Sequence, residues 1–165
     1  MEQLITTPLT PGELITGKLT PYFIIGMLDV ALAVLMGQYI FEVPLRGNAA
    51  LVFGMAALFL PGALTMGLLI SIMTRSQLLA SQLAMVLTFL PSFLLSGFMY
   101  SIANMPLVIQ GLTYLVPSRF FVAILKNIYL KGAGMAIIVS EAAVLLVFAV
   151  VLIVIANLRL KKRLV

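Results

Sequence analysis

Long apolar runs separated by short polar stretches dominate the chain. Four of them, 21–41, 47–73, 78–99 and 135–156, reach the roughly 20 residues that a membrane-spanning helix needs. Each run is continuously apolar and lacks the period-two alternation over about ten residues that marks a barrel strand, so helices are expected. The runs hold only two ionisable side chains, Asp29 and Glu141, while Arg46, Arg75 and the cluster Arg159, Lys161, Lys162 and Arg163 lie between or beyond them. The pattern predicts an all-α polytopic membrane bundle with four transmembrane helices. Residues 1–20 form a cytoplasmic segment, 21–156 the transmembrane domain and 157–165 a basic cytoplasmic tail.

The stretch 100–134 is too long and too apolar for a simple connector. Pro106 to Val116 and Arg119 to Leu130 each read as a short amphipathic helix, separated by Pro117 and ended by Gly132 and Gly134. They are too short to span, so re-entrant or interfacial helices forming an outer lid are expected. Pro61-Gly62, Pro91 and Ser96-Gly97 mark candidate kinks or breaks. Ala63, Gly67 and Ser71, and Ala80 with Ala84, place small residues on helix faces suited to close packing. Ahead of the first run, Thr10-Pro11-Gly12-Glu13 has the capping-box pattern and predicts a short surface helix starting at Pro11.

Composition sharpens this picture. Of 165 residues, 63% are hydrophobic and 9% charged, against about 25% charged in soluble domains, and no independent soluble domain fits beside the four runs. With no histidine and no cysteine, imidazole and thiolate catalysis, their metal sites and disulfides are excluded. The net charge of +5 is concentrated in the tail, which reads as a topology signal and a contact with anionic lipid, not as a nucleic-acid site. The positive-inside rule then places both termini in the cytoplasm, weakly opposed by Arg119, Lys126 and Lys131 in the outer loop.

Two motifs invite a chemical reading. Gly12-Glu13-Leu14-Ile15-Thr16-Gly17-Lys18 has P-loop spacing, but Leu19 stands where a magnesium-binding hydroxyl is needed and no strand precedes Gly12, so no ATP site is expected. Asp29 matters more, because a carboxylate near a helix centre costs on the order of 3 kcal/mol to insert and is functional by default. A structural hydrogen bond to a neighbouring helix and a role in substrate or proton handling both fit it. Glu141, nearer the outer side, either pairs with Lys126 or Lys131 to tie down the lid, or faces water.

The order of short motifs resembles a known family. Glu2-Gln3-Leu4 with Thr7-Pro8, Gly12-Glu13-Leu14, Gly17-Lys18 and Pro21-Tyr22 resemble the cytoplasmic loop and the start of the third helix in type-2 ABC exporter permeases. The likeness continues through Val43-Pro44-Leu45-Arg46-Gly47, Pro91-Ser92-Phe93-Leu94-Leu95-Ser96-Gly97-Phe98, Asn104-Met105-Pro106, Leu112-Thr113-Tyr114 and Leu130-Lys131-Gly132. It is strongest with the bacterial multidrug-type branch.

The resemblance implies a permease that works as a homo- or heterodimer in the inner membrane, with two ATPase subunits on the cytoplasmic side. ATP and magnesium would bind those partners, so no cofactor, catalytic residue or metal ligand is expected in this chain. The family has six spans, and this chain would correspond to the last four, as an N-terminally truncated permease, a fragment, or a sequence with a misplaced start. Glu2, Gln3, Thr7, Pro8 and Glu13 would belong to the segment that couples to the ATPase, and the lid with Pro106, Tyr114, Arg119 and Lys126 would seal the outer exit. The expected function is export of drugs or other hydrophobic or amphipathic compounds. Two further readings stay open from the residues alone: a small proton-coupled four-helix exporter using Asp29, and a non-transporting membrane assembly protein suggested by the small-residue faces.

Overall fold

The computed structural model describes the backbone of residues 11–74 and 76–164. Those residues form an all-helical bundle: α1 (Pro11–Tyr39), α2 (Ala49–Met73), α3 (Gln77–Ala84), α4 (Leu90–Leu95), α5 (Leu107–Thr113), α6 (Pro117–Lys131) and α7 (Met135–Leu164). Among the described residues four segments are long and apolar enough to cross a membrane: Ile15–Tyr39, Ala49–Met73, Gln77–Leu95 and Met135–Arg159.

α1 starts at Pro11, as the capping pattern predicts, but it continues unbroken through Pro21 into the first span. The separate surface helix expected before residue 21 is thus the first turns of α1 itself. A proline removes one N–H and crowds one carbonyl, which membrane helices absorb because neighbouring hydroxyls satisfy freed backbone groups. Pro21 leaves the Gly17 carbonyl without its usual N–H partner; the Thr16 and Thr20 hydroxyls in the preceding turns donate to other carbonyls, those of Gly12 and Thr16, at 2.9 and 2.6 Å.

The third span deals with its proline differently. α3 passes into a π-helical turn, Met85–Phe89, in which the Leu90 N–H donates to the Met85 carbonyl, before α4 carries Pro91 in its first turn. The widened turn relieves the clash that the proline ring would make with the carbonyl four residues earlier. This span ends at Leu95, short of the predicted Met99, because Gly97 adopts φ +80° and turns the chain. α7 does the opposite and runs past the predicted 156 to Leu164, a length of roughly 45 Å against about 30 Å of hydrocarbon, so its basic end projects beyond the apolar layer.

Asn48 caps α2, its side-chain oxygen accepting from the Ala50 N–H at 2.8 Å. Replacing it with alanine is expected to cost about 1 kcal/mol. Thermal unfolding in detergent checks this, and an unchanged midpoint would mean that the cap holds nothing.

α2 is the central element, packed on α1, α6 and α7. At the lid end, Val34 of α1, Val52 and Met55 of α2, Ile124 and Ile128 of α6, and Ile138 and Leu145 of α7 form one core. A smaller core at the opposite end joins Ile15, Leu69 and Ala156. Between them the helices approach closely at glycines: a Cβ on Gly26 would lie 3.0 Å from Leu60, and one on Gly62 would lie 3.4 Å from Ala149. The small-residue face expected on α2 is not this seam. A Cβ on Gly67 would meet nothing within 4 Å and Ser71 is exposed, because the stripe that meets α7 runs through Gly62, Thr65 and Leu69 instead.

Candidate functional site

The lid is built from the turn after α4. Ser96 is buried and its hydroxyl accepts from the Phe98 N–H at 3.3 Å, while Gly97, at positive φ, packs against Ile102. A short 3-10 turn, Ile102–Asn104, leads to Pro106, which caps α5. The Gln110 side chain reaches back to the Met105 carbonyl at 2.8 Å and fixes the entrance to the helix. Pro117 occupies the first turn of α6, where its missing N–H costs nothing, and Gly132 ends the helix in the left-handed region at φ +60°. α5 and α6 therefore match the two expected helices, meeting at a bend of 87°.

α6 is re-entrant. Its Phe121 ring stacks on Phe59 of α2, with centroids 4.5 Å apart and planes within 6°. Phe59 lies ten residues into α2, roughly 15 Å below its lid end. Ile124 and Ile128 follow on the same face, both fully buried in the bundle core. The amphipathic face seen in the sequence is thus buried against protein, with the helix seated against α2 and α7.

Three cations hold α6 and its flanks, each on backbone or neutral oxygens. Arg119, in the first turn of α6, donates to the Gln110 carbonyl at 3.3 Å and to the Thr113 hydroxyl, and its guanidinium lies 3.7 Å over the Tyr114 ring. The Thr113 hydroxyl in turn donates to the Gln110 carbonyl at 2.7 Å. This network spans the bend, so Arg119 staples α5 to α6. Lys126 donates to the Gly97 carbonyl at 2.6 Å and joins the lid to the end of the third span. Arg46, between α1 and α2, reaches the Leu130 carbonyl at 3.5 Å. Beside it Gly47 lies against Ile128, and Gly132 against the Arg46 carbonyl.

Of the expected lid residues, Tyr114 and Arg119 meet at the bend, Pro106 starts the helix leading to it, and Lys126 stands apart at the third span. The expected pairing of Glu141 with a lid lysine is not made through Lys126, whose ammonium is held by Gly97; Glu141 accepts the Ser140 hydroxyl at 2.7 Å. Arg46 and Gly47 stand out in the sequence only as part of a family motif, and the structure adds them to the lid anchor. Asp29 is exposed on the side of α1, and no hydrogen bond or ion pair reaches it among the described residues. Glu13 sits in the first turn of α1, while Glu2, Gln3, Thr7 and Pro8 lie outside the described residues.

The profile of a family described as "ABC-2 family transporter protein" matches residues 1–158. The chain is 42% identical over 164 residues to the probable multidrug ABC transporter permease YbhS of Escherichia coli (strain K12), covering 99% of this chain and 44% of the relative. It is 31% identical over 147 residues to the probable multidrug ABC transporter permease YbhR of the same strain, covering 89% of this chain and 40% of that one. The linearmycin resistance permease protein LnrN of Bacillus subtilis (strain 168) is 26% identical over 152 residues, which are 90% of this chain and 38% of that protein. The chain thus spans less than half the length of these curated relatives. No solved structure matches it.

Proposed function

The chain belongs to the ABC-2 family of transporter proteins, and from that premise we propose that it forms the membrane-embedded permease part of an ATP-driven exporter. In this reading it sits in the inner membrane with its basic tail and the start of α1 in the cytoplasm, where positive charge is retained. An ABC ATPase supplies ATP and magnesium binding, and a second permease copy completes the pathway. The cargo is hydrophobic or amphipathic, in keeping with an apolar bundle and with relatives named as multidrug permeases.

The observation that carries the mechanism is the continuity of α1. Its first turn bears Glu13, its Ile15 belongs to the core at the tail end, and its Val34 belongs to the core that seats the lid helix. An unbroken helix transmits displacement as a rigid body. Closure of the ATPase pair against residues 1–20, including Glu2, Gln3, Thr7, Pro8 and Glu13, would tilt α1 and disturb the seat of α6, opening the exit.

Coupling gives the test. With the partner ATPase co-assembled, Glu13→Ala is expected to leave basal ATP hydrolysis in place and to lower its stimulation by an amphipathic substrate severalfold. Stimulation equal to that of the unaltered protein would contradict the assigned coupling role.

A further inference from the structure

Lys126 leaves the lid helix on the side away from its seat. Ile124 and Ile128 bury one face of α6 in the core, and Lys126 stands two residues from each, about 200° around the helix. There its ammonium donates to the Gly97 carbonyl at 2.6 Å. A built turn presents that carbonyl: Gly97 takes φ +80°, and the buried Ser96 hydroxyl accepts the Phe98 N–H. α6 thus holds the bundle core with one face and the end of the third span with the other.

The two halves of the third span rest on different partners. α3 packs on α2, whereas α4 packs on α6. Both attachments are internal to the described residues and hold whatever else packs on the span. Between the halves lies the π-helical turn Met85–Phe89, closed by the bond from the Leu90 N–H to the Met85 carbonyl. Long helices bend at such turns and at prolines, and Pro91 follows directly, supplying no N–H to the turn before it. The outer half is stiffened, because Phe89 and Phe93 stack across Pro91 with ring centroids 5.7 Å apart. A displacement of α6 therefore pulls on α4 while α2 retains α3, and the π turn is where the span yields.

Resting on the permease reading above, we infer that the third span is jointed at Met85–Phe89, and that Lys126 makes its outer half, α4 with the Gly97 turn, travel with the lid helix. Lys126 is a positioning residue that acts through the Gly97 carbonyl. When α6 leaves its seat, the outer half of the third span follows, so the exit opens by displacement of two elements and not of the lid helix alone. When α6 reseats, the same bond draws the span back.

Amide hydrogen exchange tests this in the chain assembled with its partner ATPase and held without nucleotide. Lys126→Met is expected to speed exchange about tenfold at Phe98 and in the last turn of α4, in line with the loss of a hydrogen bond from a charged donor. α3 and residues 124–128 should keep their rates, and Lys126→Arg, which keeps a donor, should restore most of the protection. Gly47→Ala pushes on the other face of α6, since its Cβ would lie 2.8 Å from Ile128. It should speed exchange at Leu90, whose bond closes the joint, and adding Lys126→Met should abolish that effect while exchange in α6 stays raised. Equal loss of protection in α3 and α4, or a Leu90 amide unmoved while α6 responds to Gly47→Ala, would overturn the joint. An unchanged α4 in Lys126→Met, a loss that arginine does not restore, or a Leu90 response that survives Lys126→Met would overturn the coupling. Should Gly47→Ala fail to assemble, the Lys126 variants decide alone. No nucleotide turns over here, so these results do not depend on the exporter reading, which ATP-dependent uptake tests separately.

Discussion

Replacing Gly47 with alanine is expected to destabilise the protein by about 3 kcal/mol, toward the upper end of the usual cost of overpacking. A Cβ at this position would lie 2.8 Å from both the Ile128 carbonyl oxygen and its Cγ2. Neither neighbour can retreat. The carbonyl belongs to the last turns of α6, and the Ile128 side chain is fully buried between α2 and α7. The glycine is therefore what lets the link between α1 and α2 lie directly on the lid helix. Thermal unfolding in detergent should fall by roughly 10 °C, given about 3 °C per kcal/mol for a chain of this size. Gly67→Ala is the matched control, since nothing lies within 4 Å of its Cβ position and a helical alanine gains up to about 1 kcal/mol. Equal stability of the two variants would show that the lid helix does not sit where the structure puts it.

Arg119→Ala should cost about 2 kcal/mol, and the loss should be local. The guanidinium is shared by the Gln110 carbonyl, the Thr113 hydroxyl and the Tyr114 ring, so its removal leaves the buried Thr113 hydroxyl with one partner fewer and frees the 87° bend. Hydrogen bonds from a charged donor contribute about 1.5 to 3 kcal/mol each, discounted here because Arg119 is only half-buried. Arg119→Lys keeps the charge but loses the planar fork, and should recover less than half of the effect. Amide hydrogen exchange reads this directly: protection should drop in α5 and the first turns of α6 while α2 is unchanged. Uniform loss across the bundle, or full rescue by lysine, would contradict a staple at the bend.

Much of this architecture is legible in the residues because lipid leaves so few options. A continuous apolar run must be a helix, and Pro117 with Gly132 brackets α6. Helix ends are less legible, since hydropathy marks where the bilayer stops and not where the helix does. α7 passes that edge because leucine, lysine and arginine are good helix formers, and α4 stops before it because Gly97 turns. The partners of the lid anchors cannot be read from sequence, although Arg119 and Lys126 themselves can be picked out. Lys126 and Arg46 bind the carbonyls of Gly97 and Leu130, and every residue has a carbonyl. The depth of α6 is equally hidden, because an amphipathic face states that it will be covered without stating by what. On α2 a one-residue offset separates the expected face at Ala63 from the contact at Gly62.

The central claim is that this bundle is a conduit driven by a separate ATPase. It is tested most directly in inside-out membrane vesicles that contain the chain with its partner ATPase, by following uptake of a fluorescent amphipathic compound. Uptake should require ATP, persist in the presence of an uncoupler, and vanish when the partner's P-loop lysine is replaced. Uptake that continues without the ATPase and collapses with the proton gradient would contradict it.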